Sequence, residues 1–378
     1  MSERTFYAVC GRGLEPALRG ELEALGLGGL HEARGGVSFR GTVDDGYRAC
    51  LWLRSAIRVQ EQLIDTAVHD AIDLYDAVRA IDWDAYLTTE QTFAIDASIR
   101  DNPEFSHSGY TALRAKDAIV DQQRERHRQR SSIDTQLPDL PLKLVLQRDR
   151  LRLYRDYAGV SLHKRGYRPV QVKSPLNEAT AAGLLLLSGW DRASPLVDPM
   201  CGSGTFLIEA ALMASDYAPG LLRTFPFEFW VDFDAKVWND LLDEARGRRK
   251  AKLGFALAGA DRHAGAISIA KESAQLARVG ELVSFHVAEA ADWEPPMQPA
   301  FVTTNPPYGE RLGRDDEDDL ERSWHDLGTF LHERCSGAEA WVLSGNKALT
   351  RHLRLRTSQR VPVMNGPIEC RWLRYEIR

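Results

Sequence analysis

Two short stretches carry the residues best suited to chemistry: Asn305-Pro306-Pro307-Tyr308, and upstream Asp198-Pro199-Met200-Cys201-Gly202-Ser203-Gly204-Thr205. The tetrapeptide offers hydrogen-bond acceptors and an aromatic face to a flat amino group. Such a group on a nucleobase is a poor nucleophile, because its lone pair is delocalised into the ring. If the Asn305 side-chain carbonyl and the Pro306 backbone carbonyl each accept one N–H, the nitrogen is drawn toward sp3 and its lone pair is exposed. The two prolines hold these acceptors rigidly, since their φ is fixed. Tyr308 can stack on the base, as aromatic rings do with unstacked nucleotides. Against an electrophilic methyl carbon, position and in-line approach then dominate the rate. Neither a metal nor a covalent nucleophile is required.

The upstream stretch suits a nucleoside cofactor. Gly202 and Gly204 let the backbone pass close to a ligand, and helix amides beginning near Thr205 can receive a carboxylate. Leu196-Val197-Asp198 reads as a strand running into this turn, with further strands at Ala256 to Asp261, Val283 to Val287 and Phe301 to Thr304. Open α/β sheets bind ligands beyond the carboxyl ends of their strands. Asp198 and Asp261 lie at that edge, with Glu289 two residues past the third strand and Asn305 directly after the fourth. Asp261 is placed to accept hydrogen bonds from both ribose hydroxyls. A nicotinamide dinucleotide would use the same logic, but its Gly-x-Gly-x-x-Gly fingerprint is broken here by Phe206 and Leu207. The Gly-Lys-Ser/Thr of a Walker loop is absent too. S-adenosylmethionine is the better fit. A base stacked in a helix cannot present its amino group to such a pocket, so it must be unpaired or flipped out. A separate grip on nucleic acid is therefore expected from the first half of the chain.

That half has the elements for it. Thr5 to Val9 reads as a strand, Gly11 and Gly13 as a plain turn, and Leu14, Leu18, Leu22 and Leu25 as one helical face. Val37 to Phe39 alternates as a strand, and Asp44 can cap the helix that follows. Apolar spacing predicts helices over Ala71 to Tyr86 and Ala112 to Arg130, a strand from Phe93 to Ile99, and a hairpin joining Leu142–Leu146 to Leu151–Tyr154. This is an α+β pattern. Beyond about Pro175 helices and strands alternate, as in a doubly wound sheet. Ala340 to Ser344 and Trp372 to Tyr375 close it, and the acidic run Asp315 to Asp319 reads as a solvated loop.

Composition narrows the class. The 378 residues are 44% hydrophobic, enough for two or three domains. No apolar run reaches the roughly 18 residues of a membrane span. The N-terminus lacks a signal layout. Five scattered cysteines without a Cys-x-x-Cys pair predict neither a disulfide framework nor a zinc site, and fit a reducing cytoplasm. The net charge of −6 is unevenly spread: Leu113 to Lys173 holds 15 Lys/Arg against 7 Asp/Glu, leaving −14 on the rest. One basic region on an acidic body is what a phosphate-binding face leaves, and also what a solvated helix leaves.

The cofactor stretch through Glu209 (DPMCGSGTFLIE), with Asn305 to Leu312 (NPPYGERL), closely resembles THUMP-domain class I RNA methyltransferases. The nearest group is the bacterial 23S ribosomal RNA guanine-N2 methyltransferases. Further landmarks are dispersed in order along nearly the whole chain: Gly13-Leu14-Glu15, Gly35-Gly36-Val37, Lys116 to Asp121, Leu162 to Arg168 and Ile368 to Arg371. The resemblance implies an N-terminal ferredoxin-like subdomain (1–55), a THUMP RNA-binding domain (56–156), a linker (157–175) and a Rossmann-like methyltransferase domain (176–378). It implies Asp198, Gly202 and Gly204 around S-adenosylmethionine, Asp261 on its ribose, Glu289 near its adenine, and Asn305 to Tyr308 on the guanine amino group. Lys164, Arg165 and Arg168 are expected to contact RNA. Glu289 stands where the family more often has Asp, and the acidic run after Arg314 is unusual beside an RNA channel.

The expected reaction is therefore methylation of guanine N2 in 23S rRNA or its assembly precursor. Some relatives add a second, 7-methylguanine-forming domain; this chain is too short for one, so a single reaction is expected. The rival substrate is tRNA. The same tetrapeptide also serves adenine N6 methylation, and an RNA-binding assembly factor with an inert methyltransferase fold is the non-enzymatic alternative.

Overall fold

The computed structural model describes residues 3–168, 176–309 and 317–378. Its first half runs β1 (Arg4–Cys10), α1 (Glu15–Ala24), β2 (Gly28–Ala33), β3 (Gly36–Gly41), α2 (Val43–Trp52), β4 (Ala56–Ala67), α3 (Ala71–Arg79), β5 (Thr92–Arg100), α4 (Ser108–His127), β6 (Ser132–Ile133), β7 (Leu140–Gln147) and β8 (Arg150–Asp156). These strands form one sheet in the order β2-β3-β1-β4-β8-β7-β5-β6. The expected boundary at 55/56 falls at the start of β4, which pairs with β1 on one side and β8 on the other. The sheet is continuous across it.

Local chemistry explains the elements. Helix α1 has Pro16 in its first turn, where the missing N–H costs nothing, and buries Leu18 and Leu22. Asp44 is not the cap of α2. Thr42 is, with its amide donating to Asp45 Oδ2 at 2.8 Å, while Asp44 sits inside the first turn. Helix α3 stops at Arg79, short of the expected Tyr86, and a 3-10 turn follows at Trp83–Ala85. Strand β4 escapes sequence reasoning because polar groups occupy its core positions. Glu61 is buried there, accepting from Arg155 Nε at 2.6 Å, Tyr157 OH at 2.8 Å and Arg4 at 2.8 Å.

The second half runs α5 (Glu178–Leu187), β9 (Leu196–Asp198), α6 (Thr205–Ala214), α7 (Ala235–Arg248), β10 (Leu257–Asp261), α8 (Ala264–Leu276), β11 (Val283–Val287), β12 (Phe301–Thr304), α9 (Glu317–Arg334), β13 (Glu339–Ser344), β14 (Thr357–Asn365) and β15 (Ile368–Glu376). The sheet order is β11-β10-β9-β12-β13-β15-β14. Strands β9 to β13 run parallel, β15 is antiparallel to β13, and β14 at the edge is antiparallel to β15. Strand order reverses between β9 and β12, so the ligand crevice of such a sheet lies beyond Asp198 and Thr304. Helix α6 is apolar nearly all round and every residue of it is buried, as a helix between two layers must be.

The halves share a core. Leu14 and Leu18 of the first belong to the same apolar cluster as Ala182, Leu184 and Trp372 of the second. Polar ties add direction: the Met364 amide donates to the Arg12 carbonyl at 3.0 Å, and Arg54 Nη2 to the Tyr217 carbonyl at 3.1 Å. Among the described residues no helix is long and apolar enough to cross a membrane. All five cysteines are buried, and none is in a disulfide.

Candidate active site

A cavity of about 1400 Å³ opens where the crevice of the second sheet meets the β1–α1 turn of the first half. Every cofactor and catalytic residue expected from the sequence lines it, except Gly204. Residues over a hundred positions apart, Asp198 and Asn305, meet there because β9 and β12 are neighbours in the sheet.

The glycine-rich turn is built by two carboxylates. Asp198, fully buried at the end of β9, accepts from the Met200 amide at 3.1 Å. Asp261 accepts from the Gly202 amide at 2.9 Å through one oxygen and from the His263 amide at 2.9 Å through the other. It therefore holds the turn to the start of α8 and keeps lone pairs for a ligand. Gly204 has φ +77°, and a Cβ there would lie 2.8 Å from the Phe285 ring, so only glycine fits between α6 and β11. Glu289 is exposed at the rim.

Burial pushes the Asp198 carboxyl up to about 7, with the Met200 amide opposing it and the nearby Asp261 charge adding to it. The sign follows from linkage. An acid raised in the folded state binds protons more tightly there, so its ionisation erodes stability as pH climbs from about 4 to about 7. Asp198→Asn is expected to match wild type near pH 4 and to be more stable by roughly 1–3 kcal/mol at pH 8 without ligand. Urea unfolding at the two pH values reads this. Equal wild-type and variant stability at pH 8 would contradict it.

The tetrapeptide is held from three sides. Pro306 is buried, and the exposed Pro307 accepts through its carbonyl from Trp324 Nε1 of α9 at 2.7 Å. Asn365, at the end of β14, donates to the Tyr308 hydroxyl at 2.7 Å, and the ring lies so near Gly345 that a Cβ there would come within 2.9 Å of it. The Asn305 Oδ1 atom is buried with no hydrogen-bond partner among the described residues. A buried carbonyl without a partner costs about 1–3 kcal/mol, so it is set up to accept from something that enters the cavity. Trp324 and Asn365 left no sequence signal, being far along the chain in unremarkable surroundings. Asn177, which caps α5 by accepting from Ala179 and Thr180 amides and also lines the cavity, was findable as an N-cap before an apolar run.

Three expectations change. Arg165 and Arg168 are not placed to meet RNA phosphates. The Arg165 side chain is 2% exposed; it donates to the Leu162 carbonyl at 2.8 Å and to the Arg54 carbonyl, and lies 3.5 Å from Glu209 of α6. Arg168 pairs with Glu178 at 2.9 Å and donates to Thr205 Oγ1 at 2.9 Å, bracing the start of α6. Only Lys164 of the three is exposed. The basic excess is also partly internal: Arg155 is fully buried between Glu61 and Asp232. The acidic run is not simply a loop, since Asp319 lies in α9 and pairs with Arg262 at 2.5 Å. Asp315, Asp316 and Glu310 to Leu312 lie outside the described residues. The Gly11/Gly13 stretch is a turn, as expected, and its Gly11 and Arg12 line the cavity.

Comparison with known proteins decides the family. Residues 165–374 match the RMKL-like methyltransferase domain, 5–60 the RlmL ferredoxin-like domain and 68–156 the THUMP domain. The chain belongs to this methyltransferase family. Slr0064 of Synechocystis sp., named as a candidate RNA methyltransferase, is 40% identical over 99% of this chain and 97% of its own. The ribosomal RNA large subunit methyltransferase K/L of Syntrophotalea carbinolica is 43% identical over 98% of this chain but 53% of its own. The chain thus spans about half the length of the K/L relatives it matches. A solved candidate methyltransferase, SMU.472, complexed with SAH, superposes with a TM-score of 0.90 at 26% identity, covering 100% of this chain and 99% of its own. The fold is the expected one, ferredoxin-like and THUMP modules followed by a Rossmann-like methyltransferase domain.

Proposed function

We propose that the chain transfers the methyl group of S-adenosylmethionine to the exocyclic N2 of a guanine in 23S ribosomal RNA, acting in the cytoplasm on the rRNA or an assembly precursor. The observation that carries this reading is the meeting, in one cavity, of the glycine-rich turn and the buried, unpartnered Asn305 carbonyl. At about 1400 Å³ the cavity exceeds the roughly 300–1,000 Å³ that one small ligand occupies, which leaves room for a base beside a cofactor.

The residues present fit the cofactor. The titratable lining is rich in carboxylates (Asp198, Asp261, Glu289, Asp319 and Asp326), which suits a cationic sulfonium. Asp198 and the turn to Thr205 would hold its methionine part, Asp261 its ribose and Glu289 the adenine side. When bound, S-adenosylmethionine supplies an electrophilic methyl carbon. The Asn305 and Pro306 carbonyls accept hydrogen bonds from the two amino N–H groups and orient the nitrogen lone pair. Tyr308, fixed by Asn365, carries the base on its ring. A nitrogen that had taken up the methyl group would return to neutrality by losing a proton to water. Because a bound cation favours the Asp198 carboxylate, cofactor affinity should rise with pH through about 7 and flatten in Asp198→Asn.

The THUMP domain supports RNA as the macromolecular partner. A hollow of about 440 Å³ on it is lined by Lys116, Arg124 and Arg130 with one carboxylate, Asp117, which pairs with Lys116 at 2.8 Å; the net positive lining suits a phosphate chain. The K/L names of the relatives support the large-subunit rRNA. The deciding experiment is transfer from labelled S-adenosylmethionine to unmodified 23S rRNA and tRNA, with mass spectrometry of the nucleosides. N2-methylguanosine in 23S rRNA is the expected product. The same nucleoside in tRNA would move the substrate, N6-methyladenosine would move the atom, and no product with cofactor bound would favour an assembly factor.

A further inference from the structure

The cavity that suits a cationic cofactor is a poor place for RNA. Five carboxylates line it, and phosphates brought to its mouth would be repelled unless a cation met them there. Among the described lining residues two are permanent cations, Arg262 and Arg12. Arg262 is engaged in a two-pronged pair with Asp319, at 2.9 and 2.5 Å. Arg12 is exposed and makes no ion pair or side-chain hydrogen bond with the described residues.

Its backbone is anything but loose. The Arg12 carbonyl accepts from the Met364 amide at 3.0 Å, which fixes the β1–α1 turn to strand β14. The next residue, Gly13, has φ +90°, and a Cβ there would collide with the Pro362 carbonyl and come within 2.9 Å of Val363 Cα. The Gly13 amide also donates to Glu15 at 2.7 Å, and the other Glu15 oxygen takes the Gly35 amide at 2.8 Å. Strand β14 ends in Asn365, whose amide holds the Tyr308 hydroxyl. One short chain of contacts therefore ties the Arg12 backbone to the aromatic ring proposed to carry the base. A locked backbone bearing an unpaired guanidinium suits fixed, bidentate phosphate recognition better than loose screening.

We propose that Arg12 is a phosphate-binding residue of the methylation site. It grips the RNA backbone beside the extruded nucleotide, so that the ferredoxin-like unit completes the cleft of the methyltransferase domain. This rests on the RNA methylation reading above. It gives the cleft the cation that Arg165 and Arg168 do not supply.

The test compares Arg12→Ala, Arg12→Lys and Arg12→Glu with wild type and with Arg246→Ala, a control that removes an exposed arginine of α7 paired with Asp243. Three quantities are read: kcat/KM on an unmodified 23S rRNA transcript, affinity for a short fluorescein-labelled guanine-containing single-stranded oligoribonucleotide, and S-adenosylmethionine affinity by calorimetry. Arg12→Ala is expected to lower kcat/KM about tenfold, mostly through KM, as for loss of one charge-assisted contact. Its log–log salt slope should flatten by about 0.7 for single-stranded RNA. Arg12→Lys should recover part of the loss, Arg12→Glu should be worse, and cofactor affinity and Arg246→Ala should match wild type. Wild-type kcat/KM, oligonucleotide affinity and salt slope in Arg12→Ala would overturn the assignment while leaving the RNA methylation reading intact. The converse is distinguishable as well. A wild type that methylates no RNA, with oligonucleotide affinity still falling in Arg12→Ala, would sink that reading and keep Arg12 as a phosphate site.

Discussion

Asn305→Ala is expected to slow methyl transfer by about a hundred- to a thousandfold while cofactor affinity stays within about twofold of wild type. The cause is the buried Oδ1 atom, which has no partner in the described structure and is therefore free to accept from an amino group without first breaking a bond. Removing it takes away a preorganised acceptor from the moment when the nitrogen lone pair is freed. The glycine-rich turn does not lean on it, since Asp198 and Asp261 hold that turn. Single-turnover transfer with saturating RNA, alongside calorimetry of cofactor binding, separates the two effects. Wild-type turnover in the alanine variant would refute amino-group activation by Asn305. Joint loss of turnover and cofactor affinity would assign the residue to the cofactor instead.

Arg165→Met is expected to destabilise the fold by about 3–5 kcal/mol, with no change in the salt dependence of RNA binding. The guanidinium sits where the first half, the connecting segment and α6 converge, donating to the carbonyls of Arg54 and Leu162 beside Glu209. Methionine fills the volume but leaves Glu209 as a buried charge, its remaining partner being the Tyr167 hydroxyl at 3.0 Å. Arg165→Met/Glu209→Gln should therefore regain part of the loss, because the glutamine still accepts from Tyr167 and carries no charge. Urea unfolding of the two single variants and the double variant gives the cycle. An unchanged unfolding midpoint together with weaker, less salt-sensitive RNA binding would restore Arg165 as a phosphate contact.

How much was legible in advance depends on how locally each feature is encoded. Leu14, Leu18 and Leu22 at helical spacing, and the alternation of Phe93, Ile95 and Ala97, announce α1 and β5, because amphipathic periodicity is written within a few residues. Strand β4 was hidden. Its buried Glu61 is tolerable only with Arg4, Arg155 and Tyr157 around it, and those partners come from other parts of the chain. The end of α3 and the cap of α2 were missed by a few residues, for want of the contacts that settle competing local choices.

By itself the sequence determined where the candidate chemistry sits: Asp198 to Thr205, Asp261 and Asn305 to Tyr308 lie at or just past the end of a strand, and strand ends are where a parallel sheet binds its ligands. Only the tertiary structure decided which cations face that chemistry. Charge is counted along the chain, whereas burial and pairing are set by residues brought together from distant positions. Thus Arg165 and Arg168, in a basic run, are consumed by Glu209 and Glu178, while Arg12, in an undistinguished glycine turn, stands exposed at the cavity.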